Sequence, residues 1–271
     1  MKTNITKIYA CFPGGKHKVL TMSYDDGKHE DRRLVALFNQ YGIKGTFNVN
    51  SGLEGDPVRI PQAEYKELYK GHEVACHTVS HPTIERCPLP LVAQEIIEDR
   101  KKLEEIMGYP VRGLAYPNGS HSPQIRAMLP SLGIRYGRIV GNSDGFSMPE
   151  DFMSWKATCH HDHNLLKLGE EFVNLQKKQY LYMMYVWGHS YEFTKNNNWE
   201  VMEDFCKLVG GRDDIWYATN IEIVDYMDVV KAAQFAADGS FVYNPCVQSL
   251  WLCVDDEKLI EAKGGEVTYL V

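Results

Sequence analysis

Along most of this chain short apolar runs alternate with longer stretches of helical periodicity, and that alternation constrains the fold more than any other feature. The β-type runs fall at 19–23, 46–49, 73–76, 113–116, 135–140, 180–186 and 215–217. Between and after them lie helical segments at 31–41, 62–69, 90–107, 123–132, 163–178, 199–209 and 221–236. Strands separated by helices of this length imply parallel βαβ units. The pattern predicts an α/β fold, an irregular (β/α) barrel of seven or eight strands, better than an open sheet. No Gly-rich phosphate loop follows the first strand, so a nucleotide-binding fold has no support. Beyond Ala237-Asp238-Gly239 the character changes, and 241–244, 249–254 and 266–271 read as short antiparallel strands. The expected organisation is a catalytic barrel over 1–237, with 238–271 as a small C-terminal β appendage packed on it. No internal repeat or low-complexity segment interrupts this pattern.

Composition narrows the classes of partner. The 271 residues suffice to bury a core without disulfides or a structural metal. With 36 acidic against 29 basic side chains and a net charge of −7, no general affinity for nucleic acid or an anionic membrane is expected. No apolar run approaches the ~20 residues of a membrane helix. The apolar stretch nearest the start, 8–12, is too short for a secretory h-region. Seven cysteines, an odd number with no C-x-x-C pair, suit reduced and mostly buried thiols, and the expected location is cytoplasmic. Ten histidines is the one count that raises a chemical question.

In a βα barrel the working side chains sit at the C-terminal ends of the strands. The first strand ends in Tyr24-Asp25-Asp26-Gly27. Adjacent carboxylates repel and compete for solvation, so they are awkward for folding alone; a turn with an Asp cap is the plain alternative. The third strand ends in His77-Thr78-Val79-Ser80-His81, two imidazoles four apart that one helical turn would project together. Two ordinary polar loop residues would look the same. Both pairs fall on the same barrel face. One carboxylate with two imidazoles makes three protein ligands, the open set of a catalytic metal site. The other carboxylate then remains to act as a base. A further strand runs into Trp187-Gly188-His189-Ser190, where the histidine could protonate a leaving group or simply bond to backbone.

In this order the motifs resemble those of the polysaccharide deacetylase family, carbohydrate esterase family 4. Ser23-Tyr24-Asp25-Asp26-Gly27 stands for the family's T-F-D-D-G, and His77 to His81 for its H-[S/T]-x-x-H. The resemblance covers roughly 18–230. It implies Asp25 as general base and His189 as general acid. It also implies Asp26, His77 and His81 as ligands of one divalent metal ion, zinc first, with cobalt or nickel as alternatives. Val186 replaces the usual Leu of the family's L-x-x-H motif. The family's R-P-P-Y-G is here Ala115-Tyr116-Pro117-Asn118-Gly119, lacking the arginine that steadies the catalytic Asp. Arg138 is the implied substitute. Tyr116, Pro117, Asn118 and Trp187 are implied as oxyanion, substrate or support residues. The activity implied is metal-dependent removal of an N-acetyl or O-acetyl group from a carbohydrate.

Weaker signals stay open. Cys159-His160-His161-Asp162-His163 is the densest ligand-capable run, yet spacing of i, i+1, i+3 does not aim three side chains at one point of a helix. A second ion, a substrate-facing rim and simple helix capping all remain possible there. Trp187, Trp155, Tyr116 and Tyr191 could line a sugar cleft or fill the barrel. Asn198 before Trp199 reads as a cap, and 100–105 as a solvated helix face. The same site could serve a cytoplasmic amidohydrolase acting on a ureide-like or cyclic amide. Two histidines and a carboxylate also serve non-haem iron oxygenases, but their jelly-roll fold conflicts with the βα alternation. A non-catalytic carbohydrate-binding barrel would leave Asp25 and His189 without a purpose.

Overall fold

The structure, a computed structural model, describes residues 5–271. Its elements begin with Ile8–Cys11 (β1), Lys18–Asp25 (β2), Asp31–Tyr41 (α1), Gly45–Val49 (β3), Tyr65–Leu68 (α2) and Glu73–Cys76 (β4). Leu89–Met107 (α3), Gly113–Ala115 (β5), Pro123–Met128 (α4), Tyr136–Asn142 (β6), Trp155–Ala157 (β7) and Cys159–His160 (β8) follow. Next come Leu165–Val173 (α5), Tyr182–Gly188 (β9), Ser190–Lys195 (α6), Trp199–Val209 (α7), Ile215–Tyr217 (β10) and Asn220–Ala232 (α8). Gln234–Phe235 (β11), Phe241–Tyr243 (β12), Leu250–Val254 (β13), Lys258–Ala262 (β14) and Val267–Tyr269 (β15) complete the chain.

The parallel strands run in the order β7-β6-β5-β4-β3-β2-β9-β8. β7 and β8 are one strand broken at Thr158: the first part pairs with β6 and the second with β9, so the sheet closes on itself. β10 fits beside the start of β2, pairing Ile215 with Lys18, where β3 joins only from Met22. The expected irregular barrel is the fold observed. Its closing strand lies in a stretch that reads as irregular from sequence, because the break at Thr158 leaves each part too short to show a period.

Alternation along each strand sorts side chains between two cores. Leu20, Met22 and Tyr24 of β2, Phe47 and Val49 of β3, and Met184 and Val186 of β9 pack outward beneath the helices. Val19, Ala75, Tyr136, Trp155, Met183, Tyr185 and Trp187 pack inward. The lower barrel is filled by a polar network centred on Glu73, whose carboxylate accepts from Thr46 Oγ1, Tyr136 OH and the Ile221 amide, each at 2.9 Å. The break at Thr158 reverses the parity of the closing strand: Trp155 and Ala157 join the inner cluster and Cys159 the outer one.

The longest helix, α3, buries Val92, Ile96, Asp99, Leu103 and Met107, one stripe at helical spacing, and Gly108 ends it in a left-handed C-cap at φ 77°. At the other end of the barrel, β1 pairs with β13 and β13 with β14, while β11, β12 and β15 make a second small sheet; both are antiparallel. The three tail strands expected from sequence are present but divided between these sheets. Tyr226 of α8 ties them to the barrel by donating to the Cys11 carbonyl and accepting from the Trp251 amide at 3.1 Å. No helix among the described residues is long and apolar enough to cross a membrane. All seven cysteines are free.

Candidate active site

Asp25 ends β2 on the inward parity, and Arg138 of β6 shares it. The buried Arg138 guanidinium donates to both oxygens of Asp25, and Asn48 Nδ2 donates to Oδ1 at 2.9 Å. The same guanidinium lies 4.6 Å from the Trp187 ring centroid. Burial alone would raise the Asp25 pKa, but the charge of Arg138, helped by His77 and His189, holds it down to about 2. Asp25 is therefore a carboxylate at any ordinary pH.

Asp26 follows at φ 79° and Gly27 at φ 60°, a left-handed turn that swings the second carboxylate away from the first. Arg59 holds this turn: it donates to the Asp26 carbonyl and, at 3.0 Å, to Asn50 Oδ1. Across the rim, His77 Nδ1 lies 2.8 Å from the Ala115 carbonyl. A carbonyl only accepts, so Nδ1 carries the proton and Nε2 presents its lone pair to the site. Burial, only partly offset by the charge of Asp25, lowers the His77 pKa to about 4, so the ring is neutral. His77 and His81 do not share a helical turn. Thr78 and His81 adopt φ of 65° and 58°, and that left-handed backbone brings the two rings to a centroid separation of 4.7 Å.

Thr78 is a β-branched residue in a region that ordinarily suits glycine, so its surroundings must hold it there. Asn50 Nδ2 donates to the carbonyls of His77 at 2.5 Å and Thr78 at 3.1 Å. Asp99 of α3 accepts from the amides of Ser51 at 2.8 Å and His77 at 3.0 Å. The donor atoms of Asp26, His77 and His81 fall within 4.8 Å of one another. Two imidazoles and one carboxylate, with open positions, fit a divalent ion of zinc's class.

His189 caps α6. Glu192 Oε2 accepts the His189 amide at 3.1 Å and lies 3.2 Å from Nδ1, which leaves Nε2 as the ring atom for the cleft. Burial works to lower the His189 pKa, yet the charges of Glu192 and Asp25 outweigh it and the pKa is raised. His160 and His161 also converge on Glu192, whereas His163 turns out to Asp144 at 2.7 Å. This run ends a strand and enters a turn, with α5 beginning only at Leu165, so the spacing rule for a helix does not govern it.

The remaining sequence candidates separate. Trp155 and Tyr116 are core residues and do not line a cleft. The Tyr116 amide is spent on the Arg138 carbonyl at 3.0 Å and its hydroxyl on the Met153 carbonyl at 2.7 Å, so it braces β6. Pro117 is buried, and Asn118, at φ 55°, donates from Nδ2 to Thr83 Oγ1 at 3.1 Å. A cleft of about 740 Å³ lies at the far end of the barrel, beside Lys7, Leu175 and Lys178. Asn48, Asn50, Arg59, Asp99 and Glu192 escape a reading by motif. Two of them carry a usable signal: Asp99 interrupts the apolar stripe of α3, and Glu192 is the third residue after the cap, as in a capping box.

Residues 13–137 match the family model described as Polysaccharide deacetylase. A chitooligosaccharide deacetylase from Rhizobium leguminosarum bv. phaseoli is 27% identical over 104 residues, which is 38% of this chain and 44% of that protein. The match therefore spans less than half of the curated relative. Among solved structures, a Mycobacterium smegmatis protein assigned to the polysaccharide deacetylases superposes with a TM-score of 0.63 at 15% identity, covering 84% of this chain and 96% of the other. A family 4 acetyl xylan esterase from Clostridium thermocellum, in complex with a cobalt ion, gives 0.53 at 14% identity, covering 76% and 90%. At such identities the structures establish a shared fold.

Proposed function

We propose that this chain, with the polysaccharide deacetylase pattern over residues 13–137, is a metal-dependent deacetylase of N- or O-acetylated carbohydrate. The observation that carries the reading is one rim holding the Arg138-paired carboxylate of Asp25, a two-histidine, one-carboxylate triad, and a His189 whose Nδ1 lies 3.2 Å from Glu192 Oε2. Asp26, His77 and His81 would hold the ion, which when bound polarises the acyl carbonyl and lowers the pKa of water from ~15.7 toward ~7. Asp25 takes the proton of the attacking water, and Arg138 and Asn48 keep its carboxylate fixed and charged while it does so. His189 Nε2 gives a proton to the departing group, a step an amine requires because its anion is a very poor leaving group. Trp187 forms an apolar wall beside Arg138. The name of the curated relative favours an N-acetylated amino-sugar oligomer as substrate.

The test is metal analysis of purified protein together with acetate release from chitooligosaccharides and acetylated xylan. Asp25→Asn and His189→Ala should each lose most of kcat and keep the ion, while Asp26→Asn should lose the ion. Unchanged turnover in either of the first two variants removes the assignment. Ammonia without acetate, from a ureide or cyclic amide, would replace it with the amidohydrolase reading.

A further inference from the structure

Three histidines meet at Glu192, and the proposed reaction uses only one of them. Glu192 Oε2 lies 3.2 Å from His160 Nε2 and 3.3 Å from His161 Nε2, besides its contact with His189. Asp162 Oδ1 is 3.4 Å from His161 Nε2. The donor atoms of His160, His161 and Glu192 all fall within 4.8 Å of one another. An ion with four tetrahedral ligands at ~2.0–2.1 Å keeps those ligands ~3.3–3.4 Å apart, close to the separation of Glu192 Oε2 from each of the two rings.

His161 supplies a second, independent observation. Its side chain has no exposure to solvent, and neither ring nitrogen has a hydrogen-bond partner. Buried polar groups in native proteins are ordinarily satisfied, so an imidazole in this state implies a missing partner. Burial, with His160 alongside, pushes its pKa down to about 3, which leaves the ring neutral. The ring is also held in one orientation. It stacks on Tyr24 at 5.8 Å and 10°, packs 4.1 Å from Phe193, and sits where a Cβ on Gly188 would come within 2.1 Å of Nδ1. Nδ1 thus faces the Gly188 backbone and Nε2 faces Glu192.

We propose that His160, His161 and Glu192 form a second divalent-cation site, distinct from the Asp26–His77–His81 triad. Two imidazoles and one carboxylate select zinc, cobalt or nickel over magnesium and calcium. The site opens through His160 and Glu192, whose side chains are 18% and 22% exposed. Ligation asks one rearrangement. His160 Nδ1 now accepts the Asp162 amide at 3.2 Å, and binding through Nε2 moves the ring proton to Nδ1 and releases that amide. This proposal goes beyond the deacetylase reading and does not depend on it.

The experiment is a calorimetric titration of tag-free, chelator-stripped, reduced protein with Zn²⁺ alone, repeated with Co²⁺ while following its visible spectrum. The wild type should take up two equivalents. His160→Gln and Glu192→Gln should each remove one and leave the other; Asp26→Asn should remove the complementary one. His161→Phe, which keeps the ring stacking on Tyr24 and Phe193, should lose the same equivalent as His160→Gln with an unchanged far-UV spectrum. One wild-type equivalent that survives in His160→Gln, Glu192→Gln and His161→Phe overturns the proposal, as do two equivalents that survive in those three variants, or none in the wild type. One equivalent lost in Glu192→Gln and His161→Phe but kept in Asp26→Asn would sustain the second site while removing the first triad from the functional reading.

Discussion

Replacing Arg138 with Met tests how the barrel keeps Asp25 ionised. In the folded wild type the Asp25 pKa is held to about 2, against ~3.9 in an unfolded chain. A folded value below the unfolded one means a stabilising contribution that is present above ~pH 4 and is lost as pH falls from ~4 through ~2. At 1.36 kcal/mol per unit, that contribution is about 2 to 3 kcal/mol. Without the guanidinium, burial dominates and drives a carboxyl of this kind up by ~3–5 units. His77, 4.0 Å from Asp25, is pushed down to about 4 and cannot replace the missing charge at neutral pH. The folded pKa then exceeds the unfolded one, so the sign reverses: the variant's Asp25 term is favourable below ~pH 4 and is lost as pH rises toward 7. Met keeps the length of the Arg138 stem while removing the guanidinium and its charge. The stability gap between wild type and Arg138→Met should therefore widen between pH 4 and 7, to the ~3–5 kcal/mol of a broken buried pair. Urea unfolding of both proteins in chelator at pH 4, 5, 6 and 7 measures it. A gap independent of pH would show that Arg138 contributes packing alone, and the argument for an ionised base would fail.

Three other outcomes follow from the same geometry. His189 acts as an acid only while protonated and its pKa is raised, so the basic limb of kcat/KM should lie above the ordinary imidazole value of ~6.5. Glu192→Gln should move that limb to lower pH, and an unmoved limb would deny Glu192 its hold on the proton. Asn50→Ala removes the two bonds that Asn50 makes to the His77–Thr78 turn and should weaken ion binding ~10–100-fold by calorimetry; equal affinity would show that the turn holds without Asn50. Gly188→Ala would bring a Cβ within 2.1 Å of His161 Nδ1 and should cost ~1–3 kcal/mol in urea unfolding, whereas an unchanged midpoint would mean that the His161 ring is free to move.

The chemistry that was legible in the sequence lies where residue type and strand end coincide. Asp25, Asp26, His77, His81 and His189 are uncommon side chains in predictable places, because inward parity and the C-terminal end of a strand are local properties. What holds them is non-local and was not legible. Asn48 and Asn50 continue the polar parity of β3, but only strand pairing sets Asn48 beside Asp25 and Asn50 beneath the Thr78 carbonyl. Arg138 could be named by resemblance, although its contact with Asp25 depends on how the whole barrel closes. The closing strand was hidden by its break at Thr158, and the geometry of the histidine run was hidden with it. Read as the start of a helix, His160, His161 and His163 diverge.

That break also decides what the histidine run can do. Trp155 and Ala157 face the inner core, and an unbroken strand would continue the same parity through Cys159, leaving His160 on the outer face among the helices. Instead Thr158 donates its amide to the Tyr185 carbonyl at 2.8 Å, Cys159 joins the outer core and His160 comes inward, its ring 4.7 Å from that of Trp187. His161 follows on the outer side, its ring stacked on Tyr24, and its Nε2 still comes within 3.3 Å of the carboxylate that His160 reaches. A one-residue irregularity in the strand that closes the barrel thus sets His160 on the Trp187 side and His161 on the Tyr24 side, with Glu192 within reach of both and of His189.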